Sequence, residues 1–213
     1  MIAAISLMQR RPDISLAKFR KHWLDPHGVM TAALPGLRHY IQSHCIASPV
    51  TNALAEHLGI EGIPELWFDS IEDRRMAYTS PRIAECNIDS EQFVGAVTRL
   101  VTEPVVVIPP PAVTKPVKVI LLATGAPDVG WADRAEARIA RLPDITGYIR
   151  QMVLEQTAAP NSRIAELKVP VAGLAEVTFA SEAALSDSAD ALAGAGSDAG
   201  RTAIYRVEDS NFI

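Results

Sequence analysis

The sequence predicts an α+β protein made of two similar halves, whose β-sheets pack face to face to form one barrel within a single chain. Two observations predict this fold class: short patterns recur about half a chain apart, and a proline-rich stretch separates them. The 213 residues are 48% hydrophobic and 21% charged, proportions that are typical of a soluble globular protein.

The repeat is seen in two patches. Leu34-Pro-Gly-Leu-Arg-His-Tyr-Ile-Gln42 is matched by Leu142-Pro-Asp-Ile-Thr-Gly-Tyr-Ile-Arg150, and Gly62-Ile-Pro-Glu-Leu-Trp-Phe-Asp-Ser70 by Gly173-Leu-Ala-Glu-Val-Thr-Phe-Ala-Ser181. Prolines between the patches lack the N–H that a sheet ladder needs and favour a stiff, extended chain. We therefore expect a first half at 1–108, a linker at 109–116 and a second half at 117–213.

The first half reads as strand, helix, strand, strand, helix, strand. Ser15 is a typical helix N-cap, and Leu16, Phe19 and Trp23 follow it at helical spacing. Pro35-Gly36 predicts a turn, and Ser70 can cap a second helix. The expected strands lie at 2–8, 37–46, 65–69 and 105–108, with a short additional helix at 90–100.

The second half repeats this order. Its expected strands lie at 117–123, 145–154, 174–179 and 202–207, and its helices at 131–141 and 182–192; the small-residue segment 191–200 is expected to be a loop. This order is the ferredoxin-like pattern, an antiparallel sheet with both helices on one face. The uncovered apolar face of each sheet would be buried against the other half.

Composition excludes several partners. Twenty basic and 25 acidic residues give a net charge of −5, with no long run of either sign, so nucleic acid and anionic membranes are not expected partners. Cys45 and Cys86 are too few for a disulfide scaffold, and no apolar stretch reaches the roughly 18 residues of a membrane span. We expect a cytoplasmic protein that binds a small molecule. A homodimer is considered, although no sequence feature supports it.

Known cofactor motifs are missing from the sequence. It contains no phosphate-binding glycine loop, no Gly-x-Ser-x-Gly elbow and no dinucleotide fingerprint. His22 and His27 are five residues apart, and His39 and His44 fall on opposite faces of a strand, so neither pair has the spacing of zinc ligands. The prediction is therefore no metal and no cofactor.

Four patches of the first half, taken in order, resemble the EthD family of dimeric α+β barrel proteins. They are Phe19-Arg-Lys-His-Trp23 with His27, the patch from Leu34 to Gln42, Glu65-Leu-Trp-Phe-Asp-Ser70, and Ser80-Pro81. The resemblance covers most of 1–108, and the second half matches only at its strands, as a degenerate copy would. It implies the α+β barrel fold. It also implies cofactor-independent lyases, dehydratases or isomerases that act on aromatic or lactone-like molecules in degradation pathways, or relatives that bind haem or oxidise polyketides.

All five histidines lie in the first half, which suggests that this half carries the function. Histidine is the usual proton carrier near neutral pH, and His27 after Pro26 would present its ring at the mouth of a cavity between helices and sheet. The alternative is that His27 caps the last carbonyls of its helix. Both readings place His27 at a helix end.

Strand alternation assigns further candidates. Tyr40 and His44 share a face with Arg38 and Gln42. We expect this face to point toward the helix-covered cavity, because four polar side chains are too polar a set for the barrel interior. There Tyr40 and His44 could donate to a substrate oxygen; alternatively they are a satisfied buried tyrosine and an edge histidine. On the next strand Trp67 could floor an aromatic pocket and Asp69 orient a histidine, although Asp69-Ser70 is equally a turn before a helix.

The functional hypothesis is a cofactor-independent lyase or isomerase that moves protons on a small aromatic or lactone-like metabolite. The expected catalytic residues are His27, His44, Tyr40 and Asp69, and the expected substrate-binding residues are Trp67, Trp23, Arg38 and His22. The alternatives are a non-catalytic accessory protein that binds a small molecule and a haem-binding barrel. Because the second half has Met152, Thr178 and Ala180 opposite His44, Trp67 and Asp69, we expect one working site per chain.

Overall fold

The structure is a computed structural model that describes residues 1–112, 116–126, 129–157, 163–195 and 201–213. Among these residues, eight long strands form one closed antiparallel barrel and a two-residue strand lies beside it. The strands are β1 (Ile2–Arg10), β2 (Leu37–Ile46), β3 (Gly62–Phe68), β4 (Val94–Ile108), β5 (Val117–Thr124), β6 (Ile145–Thr157), β7 (Ala165–Glu166), β8 (Val171–Phe179) and β9 (Thr202–Asn211).

The helices lie outside the barrel, between strands. They are α1 (Leu16–His22), a π-helical turn (Trp23–His27), α2 (Gly28–Ala32), α3 (Ala53–Leu58), α4 (Ile71–Tyr78), α5 (Pro81–Ser90), α6 (Val129–Ile139), α7 (Glu182–Asp187) and α8 (Ala189–Ala195). Ser15, Ser70 and Ser80 each cap a helix by accepting a backbone N–H with the side-chain oxygen. No helix of the described residues is long and apolar enough to cross a membrane.

The barrel closes in the strand order β1-β3-β2-β9-β5-β8-β6-β4, with β4 pairing back to β1. The halves meet along two antiparallel seams, β2 with β9 and β4 with β6. The predicted fold class is confirmed, and the seams add backbone hydrogen bonds to the expected packing of one sheet on another. β4 ends at Ile108 and β5 begins at Val117, while the domain boundaries themselves stay a prediction.

Two expectations are wrong. The helix expected at 90–100 is instead the start of β4, while α5 ends at Ser90. Val94 and Val97 pack with Met8 of β1 and Phe19 of α1, while Leu100 packs inside the barrel. Pairing with β1 overrides the local polar pattern that suggested a helix. The loop expected at 191–200 is wrong for its first residues, since α8 runs to Ala195; the remaining residues lie outside the described part of the chain.

A shared packing contact relates the two halves. A Cβ atom built on Gly62 would lie 2.6 Å from the indole of Trp23, and one built on Gly173 would lie 2.6 Å from the indole of Trp131. In each half, therefore, the helix after the first strand places a tryptophan directly on a glycine of the third strand. Glycine is needed there because the ring occupies the space of a side chain.

Gly62→Ala is expected to destabilise the protein by about 1–3 kcal/mol, because the added methyl forces Trp23 out of its packed position. Gly173→Ala should cost a similar amount through Trp131. Urea unfolding monitored by tryptophan fluorescence would measure both. An unchanged unfolding midpoint for Gly62→Ala would show that Trp23 is not packed as described.

A cluster of charged side chains is buried inside the barrel. Lys118 Nζ lies 2.7 Å from Asp209 Oδ2, 3.3 Å from Glu176 Oε2 and 3.6 Å from Glu65 Oε1. Since β3 and β5 are not neighbours in the sheet, the contact between Glu65 and Lys118 crosses the barrel interior. We call Lys118, Glu65, Glu176 and Asp209 the interior charge cluster.

Polar neighbours extend the interior charge cluster. Ser43 donates to Asp209 at 2.7 Å, and Gln151 donates to Glu176 at 2.9 Å. Burial by itself lowers the pKa of Lys118, but the surrounding carboxylates more than offset this and hold that pKa above its ordinary value. Burial, together with the carboxylate of Glu176, raises the pKa of Glu65 well above its ordinary value. This environment favours the protonated form of Glu65.

Candidate functional site

His27 lies inside a kinked helical segment. Ser15 starts α1, and the chain then passes through the π-helical turn, where Asp25 has non-helical dihedrals of φ −149° and ψ 120° before Pro26. The helix resumes as α2, so His27 does not end a helix and does not cap its last carbonyls. The expectation that His27 caps the last carbonyls of its helix is therefore wrong, because the chain leaves the helical conformation at Asp25 and His27 lies at the start of α2.

The kink places two histidines on one carboxylate. His27 Nδ1 lies 2.8 Å from Asp89 Oδ2, and His22 Nε2 lies 3.0 Å from Asp89 Oδ1. Asp89 belongs to α5, and Phe93, just after that helix, packs against both imidazole rings at 5.0 and 4.9 Å between centroids. Asp89 therefore holds both rings in fixed positions.

A cavity of about 60 Å³ lies between these helices and the outer face of the barrel. We call it the His27 cavity. His27, Trp23 and Tyr40 line it, as the sequence predicts for a helix-covered pocket. Its other lining residues include Ser6, Thr31, Leu66, Tyr78, Cys86, Asn87 and Arg99.

The ring of His27 is positioned to exchange a proton with this cavity. Its Nδ1 is paired with Asp89, and no hydrogen bond is formed by its Nε2 within the described residues. Burial lowers the pKa of His27 below its ordinary value, and the hydrogen bond that its Nδ1–H donates to Asp89 partly offsets this. The ring is therefore neutral near pH 7, the state in which a histidine can accept a proton.

Tyr40 is fully buried at the floor of the His27 cavity. Gln42 Nε2 donates to its hydroxyl oxygen at 2.7 Å and to the carbonyl of Trp23 at 2.7 Å. Burial raises the pKa of Tyr40 above its ordinary value, so the hydroxyl keeps its proton. Phe212, from the end of the second half, stacks on the Tyr40 ring at 4.9 Å and closes that side.

His44 belongs to a different cavity. As alternation predicts, it lies on the outer face of β2 with Tyr40 and Gln42. Its ring packs against Trp23 in a tilted arrangement, with 4.4 Å between the ring centroids. It lines a separate cavity of about 450 Å³, however, over the seam between β2 and β9. Trp23 stands between the two cavities, so His27 and His44 do not act on one reacting group.

His44 is expected to stay neutral down to unusually low pH. Burial, with the nearby Arg20 cation, lowers the pKa of His44 to about 4. The Cε1 proton of His44 should therefore titrate near pH 4 in an NMR experiment, with Arg20→Gln moving the midpoint upward. A midpoint at the ordinary value for histidine would contradict the burial described here.

Three predicted residues lie away from the His27 cavity. Trp67 packs against the core inside the barrel, edge-on to His39 at 6.3 Å, so it is not a floor for a substrate on the outer face. Arg38 and Asp69 are exposed and form an ion pair of 2.5 Å with each other. Asp69 orients no histidine, because its carboxylate is bound by Arg38.

Sequence reasoning missed the residues that come from α5 and β4. Asp89 holds both histidines, and Arg99 Nη2 donates to Asn87 Oδ1 at 3.0 Å at the wall of the His27 cavity. The polar segment after Ser80 contains Asn87 and Asp89 two residues apart. A helix predicted to begin at Pro81 would include both residues, and its packing against α1 would make them candidates for the site.

Comparisons agree with this architecture. The EthD domain profile matches residues 11–96. A structure described as an anthrone oxidase-like protein superposes with a TM-score of 0.62 at 11% identity, covering 99% of this chain and 92% of its own. A candidate monooxygenase from Fusobacterium nucleatum gives 0.58 at 6% identity, with coverage of 99% and 93%.

A further candidate monooxygenase, from Lactobacillus acidophilus, gives a TM-score of 0.56 at 8% identity and covers 99% of this chain and 94% of its own. At such identities the likeness shows the fold alone. No curated protein matches the sequence.

Proposed function

Because residues 11–96 form an EthD domain within an α+β barrel, we propose that this protein is a cofactor-independent lyase or isomerase that moves a proton on a small aromatic or lactone-like molecule. His27 is the proposed general base and Tyr40 the donor to the substrate oxygen. The match to the EthD domain and the cavity together support a role for the barrel in binding a small molecule.

The pairing of His27 with Asp89 carries the proposal. A carboxylate at 2.8 Å from Nδ1 fixes the tautomer in which Nδ1 holds the proton and Nε2 has a free lone pair. A base must be within hydrogen-bond reach of the proton that it removes. Nε2 could reach such a proton on a substrate bound in the His27 cavity. Asp89 thus acts through His27, as a positioning residue.

Two groups of the His27 cavity could stabilise the negative charge that develops on a substrate oxygen. The Tyr40 hydroxyl keeps its proton and can donate it in a hydrogen bond, and Arg99 supplies a fixed positive charge at the same cavity. Donors that are aimed in advance at developing charge are a large source of rate enhancement. We propose that these two residues stabilise an enolate-like oxygen while His27 holds the proton.

The size of the His27 cavity limits what can enter. At about 60 Å³ it is much smaller than the roughly 300–1,000 Å³ of ligand pockets that enclose a drug-sized molecule. The reacting end of the substrate would enter and the rest would lie at the mouth. Haem does not fit this cavity, because a rigid macrocycle needs several times this volume.

Proton exchange with deuterated water tests the proposal without knowledge of the full reaction. The protein would be incubated in D₂O with a panel of aromatic and lactone-like carbonyl compounds, and loss of the proton next to the carbonyl would be followed by NMR. We expect catalysed exchange of at least one compound by the wild type and by the control His57→Gln, whose side chain is exposed. His27→Gln should abolish it.

Two outcomes would contradict the proposal. Exchange that is equally fast with His27→Gln would move the base elsewhere. A compound that binds in the His27 cavity but never exchanges would favour the alternative of a non-catalytic binding protein.

A further inference from the structure

The larger cavity, over the seam between the halves, is not used by the proposed reaction. It measures about 450 Å³, within the range of small-molecule sites, and its walls come from α1, from β2 and from β9. We call it the seam cavity. Trp23 separates it from the His27 cavity, so what it binds is independent of the proposed function.

The charges that line the seam cavity do not cancel. Arg206 is neutralised by Glu182 at 2.5 Å, and Asp209 by Lys118 at 2.7 Å. The remaining charged groups are Arg20 and Lys21 against Glu208. Within the described residues none of these three forms an ion pair, so Arg20 and Lys21 are two cations at the cavity wall that no carboxylate of the described residues binds.

The polar groups at the wall have unused hydrogen-bonding capacity. Arg20 Nη2 donates to the carbonyl of Cys45 at 2.6 Å, which anchors the guanidinium, while its buried Nε has no partner in the described residues. Since Nε is enclosed, the donors left for a ligand are the three N–H groups on Nη1 and Nη2 that form no hydrogen bond within the described residues. The neutral ring of His44, held against Trp23, also lines this cavity, while its Nδ1 is enclosed and has no partner in the described residues.

The rest of the wall is apolar. Leu24, Ile46 and Pro116 contribute hydrocarbon surface around the charged groups. An anchored guanidinium matches the planar, two-oxygen geometry of a carboxylate, and a mobile lysine can follow it. Glu208 would repel a doubly charged anion such as phosphate.

From these observations we propose that the seam cavity binds a small organic carboxylate, with its charged group on Arg20 and Lys21 and its apolar body against Leu24 and Ile46. The ligand would lie across the junction of the two halves, since Arg20 comes from α1 and Glu208 from β9. At the other seam, Met152 stands where His44 does in the repeat and is exposed, so this binding site belongs to one seam.

Benzoate is the probe for the test, with benzamide as its uncharged equivalent and inorganic phosphate as a charged one without an apolar body. Calorimetry and ¹H NMR on the whole chain should show one equivalent of benzoate per chain, with shifts at the His44 ring. Benzamide and phosphate should each bind at least about tenfold more weakly, because a hydrogen bond to a charged group or the apolar contact is lost.

Variants locate the binding. Arg20→Gln should weaken benzoate binding by at least about tenfold. Arg75→Gln removes the same charge from an exposed position on α4 and should leave binding unchanged. If Arg20→Gln fails to fold, the exposed Lys21→Gln provides the test, with a smaller loss expected.

Three results would overturn this inference: no benzoate binding at millimolar concentration, equal binding of benzamide or phosphate, and benzoate shifts at His27 and Phe93 in place of His44. A failure of the exchange assay at His27 would leave it intact, because the two cavities are separated by Trp23.

Discussion

Lys118→Met is expected to destabilise the folded protein by about 3–5 kcal/mol, the usual cost of removing one partner from a buried ion pair. Lys118 is the single cation among three buried carboxylates, and its side chain is 6% exposed. Methionine has a side chain of similar size, so the loss of stability comes mainly from the missing charge and not from a cavity. Without the ammonium, Glu176 and Asp209 have no ion-pair partner among the residues that the structure describes.

Chemical denaturation measures this effect. Lys168→Met, at an exposed position, serves as the control and should change the free energy of unfolding by less than about 0.5 kcal/mol. A Lys118→Met protein as stable as the wild type would mean that the interior carboxyl groups are protonated without the lysine.

Glu65→Gln, in the same interior charge cluster, is expected to affect the stability of the folded protein in the opposite direction. The pKa of Glu65 is raised in the folded state, so the folded protein binds more protons than the unfolded chain once the pH exceeds the ordinary carboxyl pKa. Stability should therefore fall as pH rises from there toward the raised pKa. Glutamine copies the protonated carboxyl, so Glu65→Gln should be neutral or stabilising at pH 7 and should reduce that slope.

The second large effect concerns catalysis and rests on the proposed function. His27→Gln is expected to lower the turnover of an accepted substrate by about 10²–10⁴-fold, the usual contribution of a positioned acid or base. Because burial lowers the pKa of His27, the wild type should stay active to lower pH than a solvent-exposed histidine would allow.

Asp89→Asn separates positioning from direct catalysis. Removing the carboxylate removes the interaction that raises the pKa of His27, so the acidic limb of the kcat/KM profile should move to lower pH while kcat falls. Glu85→Gln, an exposed change on the same helix, should alter neither quantity. An unchanged pH limb in Asp89→Asn would show that Asp89 only supports the fold.

The sequence predicted the position of the strands well and the ends of the helices less well. Alternation along β2 correctly placed Tyr40, Gln42 and His44 on the helix-covered face. The premise behind it was wrong, however, because the barrel interior holds Lys118 and three carboxyl groups. A polar residue on a barrel strand therefore does not by itself identify the outer face.

The sequence by itself determined the duplication, the barrel it forms and the half that carries the histidines, because strand periodicity, helix caps and repeated patches are local features of the chain. Tertiary structure alone decided which side chains meet. Asp89 reaches His27 from 62 residues away, and Phe212 reaches Tyr40 from the opposite half. Likewise, Trp67 points into the barrel and His44 lines the seam cavity. The kink at Pro26 and the pairing of β2 with β9 determine which residues form the walls of that cavity. Such contacts depend on how separate elements pack, and no local pattern encodes them.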